Sequence, residues 1–287
     1  MNKEMAPFTF NEYYNGKTGL SVGIEEVLFS EHTPYQKVEV LKTDTWGNLM
    51  TIDDMVMLSE KDEFVYHEML AHVPMFSHSN PKKVLIIGGG DGGTAREVLR
   101  HPSVESVELV EIDEAVVRAS KQYLKEVGDW SHPNLKVFIE DGIEFIQNTK
   151  STYDVIIIDG SDPVGPAQGL FQDSFIDACH RALNKDGMLA TQTESPWIPS
   201  YHSSIQEVFR GLRKTFDHSS MYLAYIPLYP SGMWSFGLAS KMPIAEKERN
   251  ERIRTGLNVF EIPLKYYNKD THIAAFALPN FVREIIG

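Results

Sequence analysis

Three aspartates lie within four residues of the ends of short apolar runs that predict buried strands. Asp91 lies in the glycine-rich loop that follows the run 84–87, whereas Asp159 and Asp162 follow the run 153–158. In open α/β sheets, ligands bind beyond the carboxyl ends of the strands, where the strand order reverses. The first and fourth strands of such a sheet would bring these aspartates to one cleft. Because carboxylates so close together repel one another, the cleft requires a metal ion or an organic polycation.

The glycine-rich loop has a pattern typical of nucleotide and nucleoside sites. Gly88, Gly90 and Gly93 fit G-x-G-x-x-G between an apolar strand and a helix, where glycines let a ligand approach the backbone closely. Glu111 closes the next strand, 23 residues after Gly88, and a carboxylate there can accept hydrogen bonds from both ribose hydroxyls. Loop glycines with a surface glutamate are the alternative interpretation.

A second acidic position identifies the kind of nucleoside. Asp141 and Gly142 follow the third strand run, 135–139, where the adenine amino group lies in an S-adenosyl site. NAD enzymes share only the acidic residue after the second strand. The carboxylate of Asp91 inside the glycine loop would repel a pyrophosphate and suits a cationic sulfonium better. The pattern therefore favours an S-adenosyl-type ligand.

A metal ion is the other candidate for the cation, and the histidines do not favour it. His67-Glu68 and His72 resemble the zinc-protease signature H-E-x-x-H, which requires histidines four residues apart. These two are five apart and lie roughly 140° apart around a helix, so they cannot easily hold one ion. Their spacing predicts ordinary helix residues, and no metal is predicted.

The elements that would position these residues alternate along the middle of the chain. Apolar and β-branched runs predict strands at 20–29, 38–41, 84–87, 104–110, 135–139, 153–158, 187–192, 221–226 and 234–239. Helical spacing predicts helices at 62–75 (ended by Pro74), 94–100, 114–124, 173–183 and 245–255. Strands alternating with helices indicate an α/β fold with a parallel sheet covered on both faces, preceded by a β-rich segment.

Composition excludes several classes of function. The chain of 287 residues is 42% apolar and 23% charged, an ordinary globular composition, and its net charge of −13 disfavours binding to nucleic acid or an anionic membrane. A single cysteine, Cys179, excludes an intrachain disulfide and a multi-cysteine zinc site. The N-terminal segment has no signal-peptide pattern, and no apolar run is long enough to span a bilayer. We expect a cytoplasmic protein.

Several segments, in the right order, resemble the polyamine aminopropyltransferase family. They are GGGDGGTAREVLRHPSVESVELVEID, EDG, YDVIIIDGSDPVGP, IPLYPSG and KYYNKDTHIAAFALP. The resemblance spans about Tyr35 to Phe281. It implies a small N-terminal β domain, placed at 1–61, and a Rossmann-like, methyltransferase-type catalytic domain at 62–287. It also implies that decarboxylated S-adenosylmethionine, as a co-substrate, donates an aminopropyl group to putrescine, giving spermidine and methylthioadenosine without a cofactor.

The resemblance also implies roles for single residues. Asp159 is expected to be the general base. The expected amine-binding residues are Tyr66, His67, Asp91, Asp159, Asp162, Gln192 and Tyr229. The expected donor-binding residues are Gln36, Gly88, Gly90, Asp91, Glu111, Asp141, Gly142 and Pro166. The proline- and glycine-rich segment 160–171 is predicted to be a lid that closes over both substrates.

Two other functions compete with this interpretation. An S-adenosylmethionine-dependent methyltransferase would share the fold, but the carboxylate of its donor would meet Asp91. A non-catalytic nucleoside- or polyamine-binding protein would not need a base at the end of the fourth strand. The acceptor could also be cadaverine, agmatine or spermidine. The family usually forms homodimers or homotetramers, and the N-terminal β segment is the expected contact.

Overall fold

Antiparallel strands occupy the first part of the chain in the computed structural model, which describes residues 8–14, 16–161, 169–170, 172–260 and 263–287. The strands are β1 (Phe8–Tyr14), β2 (Thr18–Ile24), β3 (Glu26–His32), β4 (Lys37–Thr43), β5 (Gly47–Ile52) and β6 (Met55–Ser59). β1 and β2 form a hairpin, and β3 to β6 form a four-stranded sheet in sequence order. Asp53 and Asp54 form the tight turn between β5 and β6, and both have positive φ, as a two-residue hairpin turn requires.

A seven-stranded sheet forms the centre of the molecule. Its strands are β7 (Lys83–Gly88), β8 (Ser106–Glu111), β9 (Leu135–Ile139), β10 (Tyr153–Asp159), β11 (Leu183–Glu194), β12 (His218–Tyr225) and β13 (Met233–Ser240). Their order is β12-β13-β11-β10-β7-β8-β9. β7 to β11 pair in parallel, and β13 and β12 extend the sheet antiparallel. The predicted α/β fold is confirmed.

The apolar runs of the parallel strands are buried on both faces of the sheet. Along β7, Val84 and Ile86 pack in one hydrophobic cluster, and Leu85 and Ile87 pack in another. Alternate side chains of a strand point to opposite faces, so two separate layers must cover them. This double burial explains why the strand is apolar throughout rather than alternating.

Nine helices are described, and several cover the sheet. They are α1 (Glu63–Ser77), α2 (Gly93–Leu99), α3 (Glu114–Tyr123), α4 (Gly142–Asn148), α5 (Asp173–Ala182), α6 (His202–Thr215), α7 (Glu246–Gly256), α8 (Lys269–Ala275) and α9 (Asn280–Ile286). The prediction that Pro74 ends the first helix was wrong, because α1 continues to Ser77. Proline removes only its own N–H, and the carbonyl of Pro74 still accepts a bond of 2.9 Å from the N–H of His78.

The predicted domain boundary falls in the short connection between β6 and α1. β6 ends at Ser59 and α1 begins at Glu63. We propose that the N-terminal β domain ends at residue 61 and that the catalytic domain begins at residue 62. Within the part of the chain that the structure describes, none of the helices combines the length and the apolarity needed to cross a bilayer.

Candidate active site

A cleft of about 940 Å³, open to solvent, lies at the carboxyl ends of β7, β8 and β10. It contains most of the predicted site residues: Gln36, Tyr66, His67, Gly88, Gly90, Asp91, Glu111, Asp141, Gly142, Asp159 and Tyr229. Gln192 lines a smaller adjoining pocket of about 360 Å³, which shares Tyr66 and Tyr229 with the cleft. Asp162 and Pro166 lie outside the described residues.

The pairing of β7 with β10 brings the glycine loop to the end of the fourth strand. Asp159 is in register with Gly88, and its carbonyl oxygen accepts a 2.8 Å hydrogen bond from the N–H of Gly89. Gly88 has a φ of +83°, and a Cβ there would lie 2.1 Å from the Asp159 carbonyl oxygen. Only glycine permits this approach.

The side chain of Asp159 is buried and accepts one hydrogen bond on each carboxylate oxygen. Tyr66 donates its hydroxyl to Oδ1 at 2.7 Å, and Thr94, in the first turn of α2, donates to Oδ2 at 2.6 Å. Burial and the neighbouring Asp91 charge raise the pKa of Asp159, against the effects of His67 and the two hydroxyls. A carboxyl group with a raised pKa is a better proton acceptor than an ordinary one.

Asp91 has the opposite electrostatic environment. Its Oδ1 accepts the N–H of Gly93 at 2.7 Å and lies 3.2 Å from Nε2 of His67. Burial would raise the pKa of Asp91, but the His67 charge outweighs that effect and lowers it. The two carboxyl groups therefore differ: Asp91 is held ionised, and Asp159 is tuned toward accepting a proton.

His67 is buried in the wall of the cleft, where its ring contacts Asp91. Its Nδ1 lies 2.5 Å from Oε2 of Glu63, one turn earlier on α1. Burial disfavours the imidazolium, but the charges of Asp91 and Glu63 prevail and raise the pKa of His67 to about 10. His67, Asp91 and Asp159 each present an atom within 4.8 Å of the others, a spacing that suits a metal ion. An imidazolium presents protons rather than lone pairs, so His67 is itself the cation of this group.

Glu111 lies at the end of β8, directly against the glycine loop. Its two oxygens accept the N–H groups of Gly90 at 3.2 Å and Asp113 at 2.9 Å. A Cβ on Gly90 would lie 2.7 Å from the Glu111 Cγ, which explains the glycine. Burial raises the pKa of Glu111 to about 7. A buried carboxylate with two oxygens on the cleft can accept a pair of hydroxyls, as a ribose offers.

The remaining wall of the cleft comes from α4 and the N-terminal strands. Asp141 caps α4 by accepting the N–H of Ile143 at 2.7 Å, which places its carboxylate at the mouth of the cleft. Gln36 follows β3 in a turn held by Thr33, whose hydroxyl donates to Asp113 at 2.8 Å. This bond ties the N-terminal strands to the loop after Glu111 and so positions Gln36.

The adjoining pocket is lined by polar groups from three parts of the chain. The side-chain amide of Gln192 donates to the carbonyl oxygens of Gly160 at 3.1 Å and Ser161 at 3.4 Å. Gln192 therefore supports the first residues after Asp159. Glu12 of β1 is buried and accepts the N–H of Val56 at 2.9 Å. The pocket thus extends the cleft beyond Tyr66 and Tyr229 and carries these polar groups among apolar side chains such as Met55 and Trp234.

Sequence reasoning missed four residues of this site. They are Glu12, Glu63, Thr94 and Arg96. Thr94 carried a usable signal, because it directly follows the glycine loop and so begins the helix that faces the fourth strand. The other three belong to no motif. Of the predicted lid, the structure describes Gly160, Ser161, Gly169 and Leu170, and all but Gly169 line the cleft; its central part lies outside the described residues.

The fold defines a class: an α/β protein with a Rossmann-like, methyltransferase-type sheet and an acidic cleft at the carboxyl ends of its parallel strands. A model of the spermine/spermidine synthase domain matches residues 63–249, and a model of the spermidine synthase tetramerisation domain matches residues 8–60. The chain therefore belongs to the spermine/spermidine synthase family of aminopropyltransferases.

Individual relatives agree with this assignment. The chain is 44% identical to the polyamine aminopropyltransferase of Thermoanaerobacter sp. (strain X514), over 96% of this chain and 97% of that protein. It is 41% identical to the polyamine aminopropyltransferase of Bacillus subtilis (strain 168), over 98% of this chain and 100% of that protein. The structure is similar to a spermidine synthase in complex with the transition state analogue AdoDATO, with a TM-score of 0.92 and 42% sequence identity, over 98% of this chain and 95% of that chain. The structure is also similar to that of the spermidine synthase from Thermotoga maritima, with a TM-score of 0.90 and 40% sequence identity, over 98% of this chain and 94% of that chain. The predicted family and enzyme class are confirmed.

Proposed function

We propose that this enzyme transfers the aminopropyl group of decarboxylated S-adenosylmethionine to putrescine, forming spermidine and methylthioadenosine. The observation that carries the proposal is the pairing of Asp91 with Asp159 at one end of a nucleoside-sized cleft. One carboxyl group is held ionised for a cation, and the other has a raised pKa for accepting a proton. This combination suits an amine nucleophile that arrives as an ammonium ion.

The proposed reaction is a single in-line displacement. The amine lone pair attacks the aminopropyl carbon bound to the sulfonium sulfur, the C–S bond breaks, and its electron pair stays on sulfur as a neutral thioether. An alkyl ammonium has a pKa of ~10.4, so one proton must first leave the attacking nitrogen. Asp159 accepts that proton, and the Tyr66 hydroxyl, 2.7 Å from Asp159, orients the nitrogen.

The donor and the amine occupy different ends of the site in this proposal. Glu111 binds the ribose, and the adenine lies near Asp141 and Gly142. The glycine loop and Gln36 contact the rest of the donor. Pro166 and Asp162, outside the described residues, stay predicted contacts of the donor and the amine. The acceptor lies along the amine-binding residues Tyr66, His67, Asp91, Gln192 and Tyr229, in the direction of the adjoining pocket.

A direct assay separates this function from its rivals. The enzyme is incubated with putrescine and either decarboxylated or intact S-adenosylmethionine, and the products are identified by mass spectrometry. Spermidine and methylthioadenosine from the decarboxylated donor support the proposal. S-adenosylhomocysteine from the intact donor would indicate a methyltransferase, and binding without turnover would indicate a non-catalytic protein. Cadaverine, agmatine and spermidine, offered in turn, define the acceptor.

The Glu111→Gln variant tests the orientation of the donor. The substitution removes a charge-assisted interaction worth ~1.5–3 kcal/mol, so the donor KM is expected to rise roughly 10–100-fold while the putrescine KM changes less. Since burial raises the pKa of Glu111 to about 7, the wild type should bind methylthioadenosine more weakly as the pH falls below 7. Steady-state kinetics measure the two KM values, and calorimetry between about pH 5.5 and 8.5 measures the pH dependence of methylthioadenosine binding.

The same calorimetric series contains the control for Glu111. The variant has no ionisable group at this position, so its affinity should stay flat over that pH range. A raised putrescine KM with an unchanged donor KM would place Glu111 in the amine pocket and contradict the proposed orientation.

Thr94→Val tests the support of the base. Valine keeps the shape but removes the donor to Oδ2 of Asp159, which stabilises the ionised form. The pKa of Asp159 should rise further, so the acid limb of the kcat–pH profile should move to higher pH, and kcat at a pH on that limb should fall about tenfold. Thr94→Ser, which keeps the hydroxyl, is the matched control. Identical profiles for Thr94→Val and wild type would remove Thr94 from this role.

We also propose that the enzyme is a homodimer or homotetramer assembled through its N-terminal strands. The match of residues 8–60 to a tetramerisation domain supports this, as do the exposed aromatic side chains of Phe8 and Tyr13. Sedimentation velocity of the full chain measures the state. A cytoplasmic location, and the lack of a nucleic-acid or membrane partner, stay predictions from the composition.

A further inference from the structure

A chain of alternating charges runs from the partly exposed Arg96 through the buried Glu63 and His67 to Asp91 at the cleft. Arg96 binds both carboxylate oxygens of Glu63, NH1 to Oε1 at 3.2 Å and NH2 to Oε2 at 2.9 Å. Oε2 of Glu63 lies 2.5 Å from Nδ1 of His67, and Nε2 of His67 lies 3.2 Å from Oδ1 of Asp91. The order is therefore cation, anion, cation, anion. The last member, Asp91, carries the negative charge that would attract the cationic substrates.

The geometry of this chain is held by several elements at once. Glu63 and His67 lie one turn apart on α1, and Arg96 lies on α2. Arg96 also donates to the carbonyl oxygen of Val127 at 2.7 Å and to Oε1 of Glu97 at 2.8 Å. The side chains of Glu63 and His67 are 7% and 2% exposed. Ionised groups at such burial require partners of opposite charge, so each member depends on the next.

We propose that Glu63 and Arg96 are positioning residues that hold the His67 ring as an imidazolium, and that this fixed cation keeps Asp91 ionised beside the base. The catalytic consequence rests on the proposed function, whereas the charge state of His67 does not.

The charged groups in direct contact with the two ring nitrogens of His67 favour the imidazolium. Glu63 faces Nδ1, Asp91 faces Nε2, and Asp159 lies within the same cluster. The Tyr66 ring meets the imidazole edge-on, with centroids 5.4 Å apart, and remains neutral because burial and Asp159 keep its pKa well above the ordinary value. The remaining facing charge is the cation Arg96, which is bound to Glu63.

Arg96 acts on His67 through Glu63. Burial would raise the pKa of Glu63, but His67 and Arg96 together lower it, so the carboxylate stays charged. Without a negative charge at position 63, burial would favour a neutral His67, and Asp91 would lose its cation. Asp159 would lose it too, since the His67 charge also lowers the pKa of Asp159. Loss of the imidazolium should therefore make the base harder to ionise.

The first experiment measures the charge of His67 in the substrate-free enzyme. Imidazole ¹⁵N shifts are recorded between about pH 6 and 10.5, and the signal of His67 among the ten histidines is assigned with a His67→Gln variant. In the wild type we expect a protonated ring that titrates near pH 10. In Glu63→Gln, which keeps the hydrogen-bond acceptor but not the charge, we expect a ring that is neutral by about pH 8. A neutral His67 in the wild type at pH 7 would overturn the proposal, whether or not the enzyme transfers aminopropyl groups.

The second experiment measures the kcat–pH profile of the same variants. Glu63→Gln should move the acid limb upward by ~1 pH unit, because the base loses a neighbouring cation. Arg96→Lys keeps a cation beside Glu63 and should therefore keep most of the wild-type profile. If Glu63→Gln folds poorly, the charge of His67 in the wild type still tests the proposal. The matched control is Glu68→Gln: Glu68 lies buried on the same helix, and its carboxylate accepts the N–H groups of Lys265, Tyr266 and Tyr267, whereas the carboxylate of Glu63 binds His67. It should leave the titration of His67 and the acid limb unchanged. A uniform loss of kcat at every pH in Glu63→Gln, equal to that in Glu68→Gln, would reduce Glu63 to a structural role and contradict the proposal.

Discussion

Asp159→Asn is expected to lower kcat by ~10²–10⁴, the range for a lost general base. Asparagine keeps the volume of the side chain but cannot accept the ammonium proton. The hydroxyls of Tyr66 and Thr94 now donate to the two carboxylate oxygens, and each can rotate to accept from the amide instead. The local structure should therefore survive, and the affinity for methylthioadenosine should change little. Single-turnover rates and calorimetry measure the two quantities.

The pH dependence makes the test of Asp159 specific. The wild type needs this carboxyl group ionised, so its kcat should fall as the pH drops through the raised pKa. The variant should lack that acid limb. Asp154→Asn is the control on the same strand, since Asp154 accepts the N–H groups of Lys82 and Lys83 at the opposite end of β10. Near-wild-type turnover of Asp159→Asn at neutral pH would exclude Asp159 as the base.

Asp91→Asn is expected to weaken donor discrimination. The Asp91 carboxylate should attract the ammonium of the decarboxylated donor and repel the carboxylate of intact S-adenosylmethionine. Removing the charge costs a charge-assisted interaction of ~1.5–3 kcal/mol, so the affinity for the correct donor should fall roughly 10–100-fold. The intact donor should lose less or gain, because its repulsion is relieved. The ratio of the two dissociation constants should therefore narrow.

Calorimetric titration of both nucleosides into wild type and Asp91→Asn measures this ratio. Asp173→Asn is the matched control, because it changes the net charge equally at the surface, where Asp173 pairs with Lys214 at 2.6 Å. If the ratio stays the same in Asp91→Asn, selection lies elsewhere and Asp91 serves only to bind the amine.

The convergence of the acidic residues could be predicted without coordinates. The runs 84–87, 104–110 and 153–158 predict parallel strands, and the carboxyl ends of parallel strands lie at one edge of a sheet. The residues that follow these runs, Asp91, Glu111 and Asp159, are therefore expected to lie close together. The glycines at 88 and 90 followed from the same pattern. The structure adds the reason each is needed, which is a backbone or side chain within 3 Å of the absent Cβ.

Several helices had no clear sequence signal. The prediction omitted α4, α8 and α9, which have seven residues each and depend on surroundings and caps as much as on pattern. It also missed α6, although the buried residues Ile205, Val208, Phe209 and Leu212 have helical spacing. α8, for example, has seven residues and begins with a capping box in which Asn268 and Thr271 bond each other's backbone N–H groups. Short helices of this kind are stable only when packed, so local pattern is a weak guide to them.

The sequence by itself determined the alternation of strands and helices, and with it the edge where the acidic residues meet. It could not determine their charge states, because those depend on which groups share a buried volume. Only the tertiary structure brings α1 against α2, so that Glu63, Arg96 and His67 place a cation beside Asp91, while burial and the Asp91 charge raise the pKa of Asp159. The alternation of strands and helices along the chain follows from a repeating local pattern. A pKa, in contrast, depends on distances of a few ångströms between residues that are far apart in the chain.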